Sequence, residues 1–347
     1  LSVSRTNLSA LPASFGQLTG LSSLWLSRNQ FQAFPEVICN LHHLMELDFS
    51  DSPLKAIPES IGQLQQLREL WLADMGLKEL PQSFSQLTQL KRLYLDGNQF
   101  SVFPEPILQL KQLVELNLGR NQLTTLPDAL ACLKQLGVFR LSKNQLSALP
   151  EAFVQLTNLE ELYVWENQFS TFPEQITQLG HLTHLDIEGH PFHSIPETIG
   201  QLKWLTYLHL GKNQLQTLPD TMRELTRLDE LHLNDNRFST LPEVITQCTR
   251  LSELYLAGNQ LQTLPDALKK LSRLHEIYLQ GNQFSTFPSV LCEMKQLWEI
   301  YLGNEPDVSD PDDVPETNCI KTVPPEVLQL PDLYRLKLGG NPLESPP

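Results

Sequence analysis

Several things are scarce in this 347-residue chain, and each scarcity closes off a class of protein. There is no phosphate-cradling glycine loop, no HExxH pair, no zinc-finger spacing, and no Ser or Cys nucleophile in a recognisable setting, so an enzyme is not expected. Its five cysteines, Cys39, Cys132, Cys248, Cys292 and Cys319, are odd in number and scattered, which gives no disulfide framework and points to a reducing compartment. No apolar run approaches the roughly 18 residues of a membrane span, and no signal-peptide pattern opens the chain. Leu1 falls in the middle of a repeat, so further sequence is expected upstream. Positive charge is short as well: 25 Lys and Arg against 40 Asp and Glu give a formal charge of -15. That balance disfavours nucleic acid or an anionic membrane and favours a partner with a neutral or basic surface.

What the chain has instead is repetition. The pattern Leu-x-x-Leu-x-Leu-x-x-Asn-x-Leu-x-x-Leu-Pro starts at Leu21, Leu44, Leu67 and onward to Leu274, every 23 residues. A longer unit starts at Leu297 and a truncated one at Leu333. Of the 25 prolines, 15 fall in one column, from Pro12 through Pro35 and Pro58 to Pro347. In Leu254-Tyr255-Leu256 the alternation is that of a strand with one buried and one exposed face. After each Leu-Pro, apolar residues recur every third position, as at Pro58, Ile61, Leu64 and Leu67, which predicts a short helical or 3-10 segment with proline in its first turn.

These residues resemble the leucine-rich repeat family, in the 23-residue Leu-Pro-x-x-Ile type of intracellular and bacterial proteins. The resemblance implies an α/β solenoid, a curved horseshoe with a concave parallel sheet and short helical or 3-10 segments on the convex side. It implies one domain over 1–347: a partial repeat at 1–20, twelve 23-residue repeats at 21–296, an extended repeat at 297–332 and a terminal partial repeat at 333–347, with 15 strand segments in all. The ending Gly340 to Pro347 is similar to that of Roco-type proteins, in which the array is joined to a GTPase module.

Two columns are structural. Asparagines at 29, 98, 121, 144, 167, 213, 236, 259, 282 and 341 occupy a turn deep in the stack, where an amide can donate to and accept from otherwise unpaired backbone groups. The column breaks at Ser52, Met75, His190 and Glu305, and the consecutive breaks at 52 and 75 predict a looser stretch. All 15 phenylalanines fall on framework positions; Phe31, Phe100, Phe169 and Phe238 are 69 residues apart, as in an array grown by duplicating triplets.

Aromatics with a polar atom are sorted elsewhere. The strand position between the two leucines carries Trp25, Trp71, Tyr94, Tyr163, Tyr255, Tyr278 and Tyr301, with His209 and His232 in the same column and Tyr207 and Trp165 on the same side of the pleat. Two residues earlier runs a glutamate column that includes Glu46, Glu69, Glu115, Glu161, Glu230, Glu253, Glu276 and Glu299. Arg92, Arg120, Arg140 and Lys143 interrupt it with a basic patch. Tyrosine also serves strands by packing side to side, but aromatics and Arg dominate interface hot spots, so this face is expected to bind protein.

Asp186, His209 and His232 share the exposed column on successive strands, with His184 nearby, and have the residue types of a Zn²⁺ site. Polar residues on a binding face account for them more simply, and no metal or other cofactor is expected. Residues 303–319 hold an acidic, proline-rich insertion expected to be disordered, whose aspartates lack EF-hand spacing. The expected function is a non-enzymatic protein-binding scaffold, cytoplasmic or secreted into a host cytosol, with self-association open; the alternative is the recognition or regulatory arm of a larger enzyme, a Roco-type GTPase or a bacterial effector such as a ubiquitin ligase.

Overall fold

The computed structural model describes residues 1–303 and 317–344. The acidic insertion therefore lies, from 304 to 316, outside the described residues. Its contacts divide the chain into two compact units, Leu1–Phe169 and Ser170–Pro347.

In the first unit seven three-residue strands run parallel: β1 (Ser23–Trp25), β2 (Glu46–Asp48), β3 (Glu69–Trp71), β4 (Arg92–Tyr94), β5 (Glu115–Asn117), β6 (Val138–Arg140) and β7 (Glu161–Tyr163). The second has β8 (His184–Asp186), β9 (Tyr207–His209), β10 (Glu230–His232), β11 (Glu253–Tyr255), β12 (Glu276–Tyr278), β13 (Glu299–Tyr301) and β14 (Arg335–Lys337), again parallel. Where a fifteenth strand was expected, only Ser2 pairs with Trp25, as an isolated bridge. Between strands the chain returns through five-residue 3-10 segments such as Glu59–Gln63. The column proline stands just before each, with a second proline inside the first turn at Pro106 and Pro325, and its carbonyl accepts the first bond, as Ile61 N to Pro58 O at 3.1 Å. That placement uses proline's fixed φ where its missing N–H costs nothing.

The periodic leucines bury as the pattern requires: Leu251, Leu254, Leu256, Leu268 and Leu271 of one repeat are fully inaccessible. Of the phenylalanines only Phe15, in the outermost repeat, is not buried. At each interior asparagine the amide joins two repeats. Asn259 accepts from Phe238 N at 3.1 Å and donates to Leu233 O at 2.9 Å and Leu256 O at 3.0 Å. The residue before it adopts a left-handed backbone, with glycine at Gly97 and Gly258 but Arg28, Arg120, Lys143 and Glu166 elsewhere. Such a φ costs a non-glycine residue about 1 kcal/mol, so the stack imposes this turn on sequences that do not favour it.

The breaks in the asparagine column resolve differently. At the expected break at Glu305 the role passes to Asn318, which accepts from Phe284 N at 3.1 Å and donates to Leu279 O at 2.9 Å and Leu302 O at 2.8 Å. The insertion thus enters between strand and asparagine, and the column resumes after it. Ser52 and Met75 are buried with β2 and β3 still in register, and the buried Ser52 hydroxyl has no partner. A surface cavity of ≈ 390 Å³ opens there, lined by Pro53, Lys55, Met75, Gly76, Lys78 and Gln99. His190 fills its place by donating from Nδ1 to Ile187 O, 3.2 Å away, and by stacking on Phe192.

Candidate functional site: the polar face of the sheet

Because side chains alternate along each strand, the middle residue enters the core and the flanking two face solvent. Parallel register then lines up equivalent residues of neighbouring strands and makes two columns into continuous rows.

In the second unit one row is aromatic. His232 and Tyr255 stack with ring centroids 3.9 Å apart, Tyr255 and Tyr278 at 4.2 Å, and Tyr278 and Tyr301 at 4.4 Å, all within 12° of parallel. Tyr207 approaches His232 at 5.3 Å and His209 lies 4.5 Å from it. Beside this row, Glu230, Glu253, Glu276 and Glu299 pair in register. The rows are tied rung by rung: Tyr255 donates to Glu253 at 2.7 Å, Tyr278 to Glu276 at 2.6 Å, Tyr301 to Glu299, and His232 Nε2 meets Glu230 at 2.6 Å. Burial, the bond to Glu253 and the negative charge beside it push the Tyr255 phenol well above its ordinary pKa, and the same causes act on Tyr278 through Glu276.

The glutamates are not equivalent. Burial and the charges of Glu230 and Glu276 raise Glu253, against the lowering effect of Tyr255. Glu299, expected at an exposed rim, is only 4 % exposed. Its burial is outweighed by hydrogen bonds from Tyr301 and Tyr334 and by Arg335, and its pKa falls. Arg335 donates through Nη1 to both Glu299 oxygens, at 3.1 and 3.0 Å, and to the Tyr301 hydroxyl at 3.0 Å. Sequence reading passed over Arg335, although the glutamate column itself turns to arginine there.

In the first unit Trp25 and Trp71 lie 5.0 Å apart and Trp71 stacks on Tyr94 at 5.5 Å. Burial and Glu115 push Tyr94 up to about 12. The basic patch is not free positive charge. Arg92 pairs with Glu69 and Glu115, Arg120 with Asp74 at 2.7 Å and Asp96 at 3.0 Å, Arg140 with Glu115 and Glu161, and Lys143 with Glu166 at 3.7 Å. Arg140 also lies over Tyr163 and Lys143 over Trp165. A shallow cavity of ≈ 240 Å³ opens among Arg120, Arg140, Tyr163 and Trp165.

The metal-ligating residues regroup relative to the sequence expectation. His232 is engaged by Glu230, and Glu188 takes its place beside Asp186 and His209. His209 Nδ1 is 3.4 Å from Asp186 and Nε2 is 3.6 Å from Glu188, whose other oxygen holds Lys212 at 2.9 Å. These three are the residues that could hold a cation; Lys212 competes for one of them. Just ahead of β9 and β13 in the chain, Trp204 and Trp298 are exposed, with Arg227 over the first ring and His275 stacked on the second.

A family model described as a leucine-rich repeat region matches residues 36–122 and 170–259, and further leucine-rich repeat models match 249–306 and 112–133. Among solved structures, a leucine-rich repeat protein of Leptospira interrogans is similar at 33% identity and TM-score 0.83, over 100% of this chain and 91% of that one. An internalin of Listeria monocytogenes shares the fold at 22% identity and TM-score 0.76, covering 86% and 84%. The plant peptide hormone receptor RGFR1, solved in complex with RGF2, has 28% identity and TM-score 0.73, over 97% of this chain and 55% of the receptor. No curated protein matches the sequence.

Proposed function

Since the chain belongs to the leucine-rich repeat family, we propose that it is a non-enzymatic binding module whose partner is a protein or peptide held on the polar face of the sheet, across β10 to β13. One observation carries this reading: a row of four stacked rings, His232 to Tyr301, locked to a row of carboxylates. Rings held on both faces and at the hydroxyl, as Tyr255 and Tyr278 are, have already lost their rotamer freedom, so a partner meets a row of fixed amphipathic ring edges at little entropic cost. The excess of carboxylate favours a basic partner surface. A peptide-bearing receptor among the similar structures supports the same use of the fold. All five cysteines are free, which supports a reducing setting such as a cytosol.

A photo-crosslinking residue in place of Tyr278, and separately in place of Lys270 on the 3-10 side, tests the reading in a cell lysate. A discrete adduct from position 278 alone is expected. Adducts from position 270 alone, or none from either, would refute it.

A further inference from the structure

Four strands carry the same rung, Glu-x-Tyr, with the tyrosine hydroxyl donating to the glutamate: 161/163, 253/255, 276/278 and 299/301. Two are occupied by a guanidinium from an adjacent strand of the chain itself, the following one for Glu299–Tyr301 and the preceding one for Glu161–Tyr163. Arg335 takes both Glu299 oxygens and the Tyr301 hydroxyl. Arg140 lies 3.9 Å from Glu161 and 5.1 Å over the Tyr163 ring. The two rungs between, Glu253–Tyr255 and Glu276–Tyr278, have no cation among the described residues, and 304–316 contains no Lys or Arg that could supply one. Their neighbours are closed off: Glu230 by His232 and Glu299 by Arg335.

We infer that Glu253–Tyr255 and Glu276–Tyr278 form a two-rung arginine-binding site, filled by a basic segment of the partner in the way Arg335 fills the third rung. The inference rests on the reading of this face as the binding face and names the chemistry it selects. Stacked neighbours cover the faces of Tyr255 and Tyr278, so an incoming cation is received at the ring edges, where hydroxyl and carboxylate lie side by side. That is the contact Arg335 makes. The phenol donates to the carboxylate and keeps a lone pair for the guanidinium; Arg335 serves both acceptors through Nη1, which leaves the other donors of the planar fork to reach a second rung. A lysine ammonium is a compact, strongly hydrated point charge and spans them less well. Two open carboxylates side by side, one of them raised by burial and by its neighbours' charge, are relieved together when two cations arrive.

The test uses immobilised peptides with two arginines separated by glycine, and their lysine and citrulline counterparts, against the whole protein at low ionic strength. The arginine peptide is expected to bind about fivefold or more tighter than the lysine peptide, with the citrulline peptide lost, because charge-assisted bonds dominate. Glu253→Gln/Glu276→Gln, which keeps shape and removes charge, is expected to weaken arginine binding about tenfold and abolish the arginine–lysine preference. Arg335→Ala opens the third rung and is expected to strengthen binding of a three-arginine peptide. Equal binding of arginine and lysine peptides, or a double variant that binds like wild type, overturns the inference. If position 278 crosslinks a partner while arginine peptides do not bind, the guanidinium assignment fails and the binding face stands; if position 278 crosslinks nothing, the face itself has failed.

Discussion

Glu253→Gln and Glu299→Gln are the same chemical change one strand apart from a shared neighbour, and the structure predicts opposite effects on stability. Glu253 faces Glu230 and Glu276 in register, and like charges directly opposite cost roughly 0.2 to 1 kcal/mol per pair. Removing its charge relieves two such pairs and weakens one bond, from Tyr255, by about 1 kcal/mol at most. The net is a stabilisation at neutral pH of about 0.5 kcal/mol, discounted because the side chain is partly solvated. Glu299 is buried and receives Tyr301, Tyr334 and both bonds of Arg335, so its neutralisation loses charge-assisted bonds and costs about 2 kcal/mol. The pH dependence separates them further. Glu253 has a raised pKa in the fold, so its contribution is fully present below the ordinary glutamate value of about 4.3 and is lost as pH rises through the folded value. Its Gln variant should gain on wild type at pH 7 and lose that gain near pH 4. Glu299 has a lowered pKa, so its contribution is present above the ordinary value and is lost as pH falls through the folded one. Its Gln variant should be weaker than wild type at neutral pH, with the gap closing in acid. Urea midpoints by circular dichroism at the two pH values measure all four differences. Shifts of the same sign at pH 7, or a Glu299 gap that widens in acid, would show that the carboxylate row is not organised by these partners.

Two further substitutions test the frame that holds the row. Asn259→Ala deprives Phe238 N, Leu233 O and Leu256 O of their partner inside the stack and should cost roughly 3 kcal/mol, read as a lower urea midpoint; a loss below about 1 kcal/mol would mean that water replaces the amide. At Gly200, in the 3-10 segment Glu197–Gln201, a Cβ would meet the Thr221 carbonyl oxygen at 2.6 Å, so Gly200→Ala should destabilise by about 1 to 3 kcal/mol while leaving crosslinking at position 278 unchanged; unaltered stability would show that the neighbouring segment yields freely.

The frame was readable from sequence because every one of its demands is local and periodic. A leucine every second residue in a strand, a proline before each return segment and an asparagine at each turn are answered by one neighbour on each side, so a column of letters becomes a column of contacts. Phe31, Phe100 and Phe238 were placed correctly on that basis alone, and so were the aromatic and glutamate rows, whose register follows from the repeat length. Legibility failed where a residue's state depends on what stands in the adjacent repeat. Arg92, Arg120 and Arg140 read as a basic patch because the carboxylates that neutralise them lie 21 to 46 residues away in sequence, on three different strands and two turns. Glu188 escaped notice because it lies past the strand, one repeat after Trp165, at a position that carries no recurring residue type. Asn318 was hidden by the insertion that displaces it from its expected number.

On the proposed reading of the sheet face as a binding surface, the same dependence on neighbours gives it its selectivity. A perfectly repeated Glu-x-Tyr rung would be a uniform negative ladder, destabilised by its own charge and indifferent to where a cation lands. Here the repeat is broken by His232 at one end and Arg335 at the other, each bonded to the glutamate it meets. The charge left unanswered is thereby confined to Glu253 and Glu276, on adjacent strands, with their hydroxyls fixed toward them. Specificity in this face therefore resides in the departures from the repeat, and the invariant part supplies the rigid spacing against which those departures are read.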